Sequence, residues 1–141
     1  MINKVTWVSQ EVAENLNGTE DKILISICNP NLITNIENHR WTDILALQFD
    51  DATPEARVSD IFFGRENVLF DNSHANEIVT FIKRHHESKI QRELFVHCYA
   101  GLSRSTAVSK TCIEYLQLQQ EHPAKFNPHV YKILHANFRH A

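Results

Sequence analysis

The sequence predicts an α/β fold with a central, mostly parallel sheet flanked by helices. Short apolar runs rich in β-branched residues, which are typical of buried strands, alternate along the chain with segments of helical periodicity. One of these runs leads through a short loop directly into a helical pattern at residues 93–107. Functional sites in open α/β sheets lie at the carboxyl ends of the strands, so we expect a site in this loop, between a central strand and a helix.

Three strands are predicted in the first half of the chain. Residues 4–8 alternate between polar and apolar side chains, which favours a strand, and Ser9 is expected to cap a short helix that ends at Asn17-Gly18. The apolar runs KILISIC (22–28) and DILALQF (43–49) predict two further strands.

The segment between residues 50 and 70 has no clean periodicity. It contains Pro54, Gly64 and the mixed apolar residues 61–63. Long irregular segments inside compact domains are often functional lids. We therefore predict a long, partly structured lid here, with residues 68–70 docking it onto the core.

A helical pattern follows this predicted lid. Asn72 or Ser73 is expected to cap a helix that runs to about Ser88, with cationic side chains near its C-terminal end. Its expected buried stripe consists of Ile78, Phe81 and Ile82.

Two more helices are predicted after residue 104. The first is expected to stop at His122-Pro123, and Asn127-Pro128 then provides an N-cap and a first-turn proline for a last helix through about Arg139. The first of these helices has a core-facing stripe at i, i+4, i+7 and i+8, namely Val108, Cys112, Tyr115 and Leu116.

Length and composition are those of one globular domain over residues 1–141. The chain is 43% hydrophobic and 22% charged, and its net charge of −3 argues against nonspecific binding to nucleic acid or to an anionic membrane. No apolar run is long enough for a signal peptide or a membrane span, so we expect a cytoplasmic protein. The sequence does not indicate an oligomeric state.

The cysteines and histidines do not form a metal-binding pattern. Three cysteines without a CxxC pair predict neither a disulfide framework nor a zinc site. The adjacent His85 and His86 point in different directions on a helix, and no third ligand is suitably spaced. We expect no metal and no cofactor.

The loop in residues 93–107, ELFVHCYAGLSRSTA, carries the chemistry that the sequence suggests. Cys98 and Arg104 bracket it with five residues between them, and Gly101 lies inside it. A tight loop between a strand and a helix presents backbone N–H groups to an anion. A cysteine thiolate placed above these N–H groups can act as a nucleophile. An arginine at the end of the loop can bind two phosphate oxygens at once.

The segment HCYAGLSRS resembles the phosphate-binding loop, His-Cys-x5-Arg-Ser/Thr, of the cysteine-dependent protein phosphatases, including the dual-specificity group. The spacing alone is weak evidence, and the competing interpretation is a buried structural cysteine beside an unrelated surface arginine. The flanking histidine, glycine, hydroxyl, strand and helix all favour the phosphatase loop. The resemblance is strongest over residues 72–120, looser over residues 22–51, and weak elsewhere.

The resemblance implies a role for each residue of the loop. Cys98 would attack phosphorus and form a cysteinyl-phosphate, Ser105 would donate a hydrogen bond to the sulfur, and His97 would orient the loop from behind. The loop that binds the phosphate oxygens would consist of Tyr99, Ala100, Gly101, Leu102, Ser103 and Arg104.

The family also implies an aspartate that protonates the leaving group, and three aspartates compete for this role. Asp71 directly precedes a helix, where the helix dipole already explains a carboxylate. Asp50 and Asp51 follow the strand 43–49, where the family's strand-then-acid pattern puts the acid. The family's acid falls two residues after the aromatic, and Asp51 continues the strand parity of Phe49, so we prefer Asp51 over Asp50.

The expected substrate is a phosphorylated protein or another phosphomonoester. The loop lacks the lysines that family members acting on polyanionic lipids carry, which favours phosphotyrosine with tolerance for phosphoserine and phosphothreonine. Arsenate reductases share the spacing but have the loop near the N-terminus, and rhodanese-type loops fit the flanks poorly. The alternative function is a phosphoprotein-binding module that keeps the pocket without turnover.

The two remaining cysteines have different expected roles. Cys112 lies on a core-facing helical stripe and is predicted to act as a small hydrophobic residue. Cys28 ends the strand 22–28, where it either packs in the core or forms a protective disulfide with Cys98.

Overall fold

The fold is built on a parallel sheet, as described by a computed structural model covering residues 1–16, 21–32, 34–36, 41–55 and 66–141. Within these ranges the sheet has four strands in the order β1-β4-β2-β3, and every neighbouring pair is parallel. The strands are β1 (Ile2–Ser9), β2 (Lys22–Cys28), β3 (Asp43–Gln48) and β4 (Arg92–Cys98). All four predicted strands are confirmed, and β1 and β4 extend beyond their predicted bounds.

Helices occupy the connections between and after the strands, which confirms the predicted α/β class. They are α1 (Gln10–Asn15), α2 (Asn72–Glu87), α3 (Arg104–Leu116) and α4 (Pro128–Arg139). Ser9 caps α1 and Asn127 caps α4, as the sequence predicts. No helix in the described part of the chain is long and apolar enough to cross a membrane.

Two apolar clusters cover the two faces of the sheet. The larger cluster joins alternate residues of the central strands, such as Ile25 of β2 and its register partner Val96 of β4, to the buried sides of α2, α3 and α4. The smaller cluster on the opposite face contains Leu24, Trp41 and Phe95. Because both faces are covered, β2 reads as a continuous apolar run rather than an alternating one.

The central position of β4 brings several chain segments to one edge of the sheet. β4 lies between β1 and β2, and Cys98 at its carboxyl end is in register with Ser9 at the end of β1. The ends of β2 and β3 lie at the same edge because all strands are parallel. The loop after Cys98 is therefore surrounded by the segments that follow the other strands.

The N-cap of α2 is one residue earlier than the sequence suggests. Asp71, rather than Asn72 or Ser73, accepts hydrogen bonds from the N–H groups of Ser73 and His74, and the His74 side chain in turn accepts from the Asp71 N–H. This reciprocal arrangement, a capping box, satisfies three backbone N–H groups at once, which explains why the aspartate is the cap.

The end of α3 was predicted wrongly. The helix ends at Leu116 because Gln117 adopts a left-handed conformation (φ 55°, ψ 43°) and the Leu118 N–H donates to the Ile113 carbonyl. This termination needs no proline, and it does not require glycine either. Tyr115, predicted to lie in the core, is 40% exposed and stacks on Phe138.

Both ends of the predicted lid, which are described, are attached to the core. The Asp50 N–H donates to the Val68 carbonyl at 2.8 Å, and the Val68 N–H donates to the Asp50 side chain. Phe70 is buried against Phe49, as expected for the docking residues. Gly64 and residues 61–63, like the predicted helix end at Asn17-Gly18, lie outside the described residues.

We expect Asp71→Ala to lower the free energy of unfolding by about 1 kcal/mol, because it removes the cap of α2. Ser73→Ala is the matched control, since it leaves the capping box intact and should change stability by less than about 0.5 kcal/mol. Urea denaturation of both variants measures the difference. Equal losses of stability in the two variants would indicate that the cap lies at Asn72 or Ser73, as the sequence predicts.

Candidate active site

The loop between β4 and α3 passes directly against the end of β1 at Gly101. This residue has φ +74°, and a Cβ there would lie 2.8 Å from both the Ser9 nitrogen and the Val8 carbonyl carbon. Such a contact is too short for any side chain, so both the backbone conformation and the available space demand glycine. The loop is held in shape by its neighbours as well as by its own sequence.

Hydrogen bonds fix the two ends of the loop. The Gln10 N–H donates to the Tyr99 carbonyl, which ties the start of the loop to α1. At the other end the Ser103 carbonyl accepts from the N–H groups of Ala107 and Asn127. Ser103 therefore joins the loop, α3 and the start of α4.

The N-terminus of α3 has no side-chain cap, unlike those of the other three described helices. Ser9, Asp71 and Asn127 accept first-turn N–H groups of their helices, whereas Ser103 makes no such bond. The first N–H groups of a helix carry partial positive charge and need acceptors. No cap side chain occupies this helix end, so its N–H groups can stabilise an anion, and that of Ser105 acts on the Cys98 sulfur.

Cys98 lies at the base of the loop with a perturbed thiol. Its side chain is buried, and its Sγ lies 3.2 Å from the Ser105 Oγ. Burial, the largest single influence, raises the pKa of Cys98. The hydroxyl and N–H of Ser105, the Arg104 guanidinium and the Ser103 N–H together outweigh it, so the net pKa is lowered. The arrangement therefore favours ionisation of the thiol at a lower pH than in a free cysteine.

Arg104 is buried, and hydrogen bonds hold one of its guanidinium nitrogens while another has no partner in the described part of the chain. Its Nη1 donates to the Asn29 Oδ1 at 2.6 Å and to the Phe49 carbonyl at 2.8 Å. Its Nε is buried and has no hydrogen-bond partner among the described residues. Because a buried guanidinium N–H is costly to leave unpaired, this group calls for an acceptor. A phosphate oxygen in the loop would be such an acceptor.

His97 lies on the opposite side of β4 from the thiol and is fully buried. Its Nε2 is 2.6 Å from the Ser26 Oγ, and its Nδ1 is 3.3 Å from the Cys98 carbonyl. A carbonyl only accepts, so Nδ1 carries the proton and Nε2 accepts from the serine. Burial is the main cause that lowers the pKa of His97. A neutral imidazole thus supports the loop from behind.

The two adjacent aspartates after β3 occupy different environments. Asp50 is buried, and its Oδ2 accepts the Val68 N–H at 2.7 Å, which gives it a structural role between the two described ends of the predicted lid. Asp51 is exposed, and its Oδ1 accepts from the Ser103 hydroxyl at 2.8 Å and from the Asn127 amide at 2.9 Å. Asp51 therefore lies directly beside the loop.

The other predicted site residues lie where their sequence positions suggest. Tyr99 and Leu102, two residues of the loop itself, are 74% and 70% exposed. Asp71 caps α2, which already accounts for its carboxylate. No group of three or more metal-ligating side chains occurs among the described residues.

The three cysteines are free thiols in distinct settings. Cys112 is fully buried, and burial raises its pKa, in agreement with its predicted core role. Cys28 is half-buried, and burial is the main cause that raises its pKa. It shares the sheet face of Ser26 and His97, whereas Cys98 points to the other face. A disulfide between Cys28 and Cys98 stays a prediction, and it would require the end of β2 to rearrange.

Sequence reasoning missed three residues that complete the site. Ser26 contacts His97, Asn29 orients Arg104, and Asn127 contacts Asp51. Asn29 follows β2 directly and Asn127 reads in the sequence as a helix cap, so neither position carries a sequence signal for its contact in the site. Both contacts join residues more than seventy positions apart.

Comparisons with known proteins establish the fold. No protein-family model matches the chain, and no curated protein matches its sequence. The structure is similar to the crystal structure of Tk-PTP in the active form, with a TM-score of 0.55 and 12% sequence identity. The match covers 99% of this chain and 94% of that chain. At this identity the likeness concerns the fold, and the chemistry has to be inferred from the site's own residues.

We expect the thiolate of Cys98 to form at a lower pH than that of a free cysteine, whose pKa is about 8.5. The difference in ultraviolet thiolate absorbance between wild type and Cys98→Ser, followed against pH, isolates this titration. Ser105→Ala should move the midpoint to higher pH because it removes a donor to the sulfur. An ordinary midpoint in the wild type would contradict the activated thiol.

Proposed function

We propose that this chain is a phosphomonoester hydrolase, namely a protein tyrosine or dual-specificity phosphatase that acts through a cysteinyl-phosphate. The observation that carries the proposal is the pairing of a pKa-lowered Cys98 with the buried, partly unpaired Arg104 at an uncapped helix N-terminus. The likeness of the fold to Tk-PTP, a protein tyrosine phosphatase, adds support at the level of architecture.

In the first step the Cys98 thiolate attacks phosphorus in line with the leaving oxygen. The S–P bond forms as the P–O bond to the substrate breaks, and Asp51 transfers its proton to the departing oxygen. Arg104 and the loop N–H groups bind the three equatorial oxygens, whose negative charge is greatest in the transition state. No cofactor takes part in this step.

In the second step water attacks the phosphorus of the cysteinyl-phosphate. The Asp51 carboxylate accepts a proton from this water as the P–O bond forms and the S–P bond breaks, which releases inorganic phosphate. The hydroxyl of Ser105, 3.2 Å from Sγ, donates to the sulfur as it regains negative charge. The thiolate and the protonated acid are thereby restored.

The surroundings of the loop favour an aromatic phosphate on a protein. The exposed Tyr99 and Leu102 offer apolar contacts to a phosphotyrosine ring, and no lysine within the loop favours a polyanionic substrate. Because the mechanism needs a reduced Cys98, we propose a reducing, cytoplasmic setting. A phosphoprotein-binding module remains the alternative outcome of the tests below, and it is disfavoured because both reactive side chains are present.

We expect Arg104→Lys to lower turnover of p-nitrophenyl phosphate by at least about 100-fold, because lysine keeps the charge but loses the planar donors. Cys98→Ser should abolish turnover while it retains binding of phosphopeptide or vanadate, measured by calorimetry. Lys125→Ala, an exposed cation outside the loop, is the control and should remain active. Binding without turnover in the wild type would establish the alternative module.

We expect Asp51→Asn to lower turnover of phenyl phosphate by roughly 10²–10⁴-fold, with a smaller loss for the activated nitrophenyl ester. Asp50→Asn is the matched control and should chiefly lower stability, since Asp50 binds the Val68 N–H. If Asp50→Asn instead shows the leaving-group pattern, the acid is Asp50.

A further inference from the structure

Asn127 connects α4 to the proposed acid through a side chain whose amide oxygen and nitrogen each make two hydrogen bonds. It is 4% exposed, and its Oδ1 accepts the N–H groups of His129 and Val130 at 3.0 and 3.1 Å. Its Nδ2 donates to the Asp51 Oδ1 at 2.9 Å and to the Ala52 carbonyl at 3.1 Å. The side chain is thus both the cap of α4 and a donor to the loop after β3.

The helix determines which way this amide points. With the amide reversed, its NH₂ group would face two backbone N–H donors, and its oxygen would face a carboxylate and a carbonyl. All four contacts would then be repulsive, so only the observed orientation is compatible with the structure. The first turn of α4 therefore fixes an N–H donor toward Asp51.

This donor restricts where Asp51 can hold a proton. A serine hydroxyl such as that of Ser103 can donate or accept, but an amide nitrogen only donates. A proton on Oδ1 of Asp51 would have to point to Ser103 and reverse that hydroxyl, and it would leave the Asn127 N–H a hydroxyl oxygen, which is a weaker acceptor than a carbonyl oxygen. Oδ1 is therefore the favoured accepting oxygen in both protonation states. Oδ2, which has no hydrogen-bond partner among the described residues, is left to carry the transferable proton.

We propose that Asn127 is a positioning residue for the general acid: its amide, oriented by the N-terminus of α4, holds Oδ1 of Asp51 and keeps the catalytic proton on Oδ2. This inference rests on the proposed function and deepens it, because it assigns the proton to one atom. In the second step the same restriction makes Oδ2 the oxygen that accepts the proton of the attacking water.

The test uses Asn127→Ser, which retains a good N-cap but loses the amide donor. Turnover of phenyl phosphate should fall about tenfold, which corresponds to the loss of one hydrogen bond to a charged group, with KM unchanged. Turnover of p-nitrophenyl phosphate, which needs little protonation, should change less than about twofold. Asn127→Asp is a second variant that keeps both the cap and the size, and its repulsion of Asp51 should give a larger selective loss.

A double-mutant comparison separates positioning from a structural effect. In the Asp51→Asn background, Asn127→Ser should cause no further loss on phenyl phosphate, because the acid it positions is already absent. Equal losses on both substrates, or additive losses in the double mutant, would overturn the proposal. An unchanged ratio of the two substrates in both Asn127 variants would overturn it as well.

The failure of this inference is distinguishable from failure of the proposed function. Wild type that does not hydrolyse p-nitrophenyl phosphate overturns the phosphatase itself, whereas active wild type with an unaltered ratio overturns only the role of Asn127. The contact has its own check by NMR: the side-chain amide resonances of Asn127 should shift in Asp51→Ala but not in the exposed control Glu55→Gln. Unshifted resonances in Asp51→Ala would contradict the proposal.

Discussion

The burial of an ionisable thiol beside a guanidinium at one helix end is the constraint on which the rest of the site depends. Cys98 and Arg104 are 2% and 5% exposed, and both are placed where water solvates them poorly. A buried charge destabilises a fold unless hydrogen bonds and opposite charges offset its lost hydration. Ser105 and the loop N–H groups do this for the sulfur, and Asn29 with the Phe49 carbonyl does it for the guanidinium.

The parallel sheet is what brings these partners together. Asn29 follows β2, Phe49 follows β3, and Cys98 ends β4, so one edge of the sheet collects residues that are distant in sequence. The loop itself fits there only because Gly101 has no side chain to meet the end of β1. A site that depends on three strand ends needs the whole sheet to be formed, which couples its geometry to the stability of the core.

The sequence predicted what local signals encode. Apolar runs located the strands, and the pattern from His97 to Ser105 located the loop, because both are statements about neighbouring residues. Prediction from the sequence failed where a helix boundary or a residue's role depends on contacts distant in sequence, or on which of several similar neighbouring residues makes a contact. The left-handed Gln117 ended α3 without a proline or glycine signal, and Asp71 displaced its neighbours as a cap through a reciprocal bond with His74. The second roles of Asn29 and Asn127 likewise require the tertiary structure.

The missing cap on α3 ties stability to ligand binding. A serine at an N-cap commonly contributes about 1 kcal/mol by accepting a first-turn N–H, yet the Ser103 hydroxyl is directed to Asp51 instead. The loop therefore gives up local stabilisation, and the N–H groups stay available to an anion. An anion that binds only the folded state replaces that stabilisation by mass action. Ser103 thus leaves the proposed phosphate site open and also holds Asp51, the proposed acid, beside it.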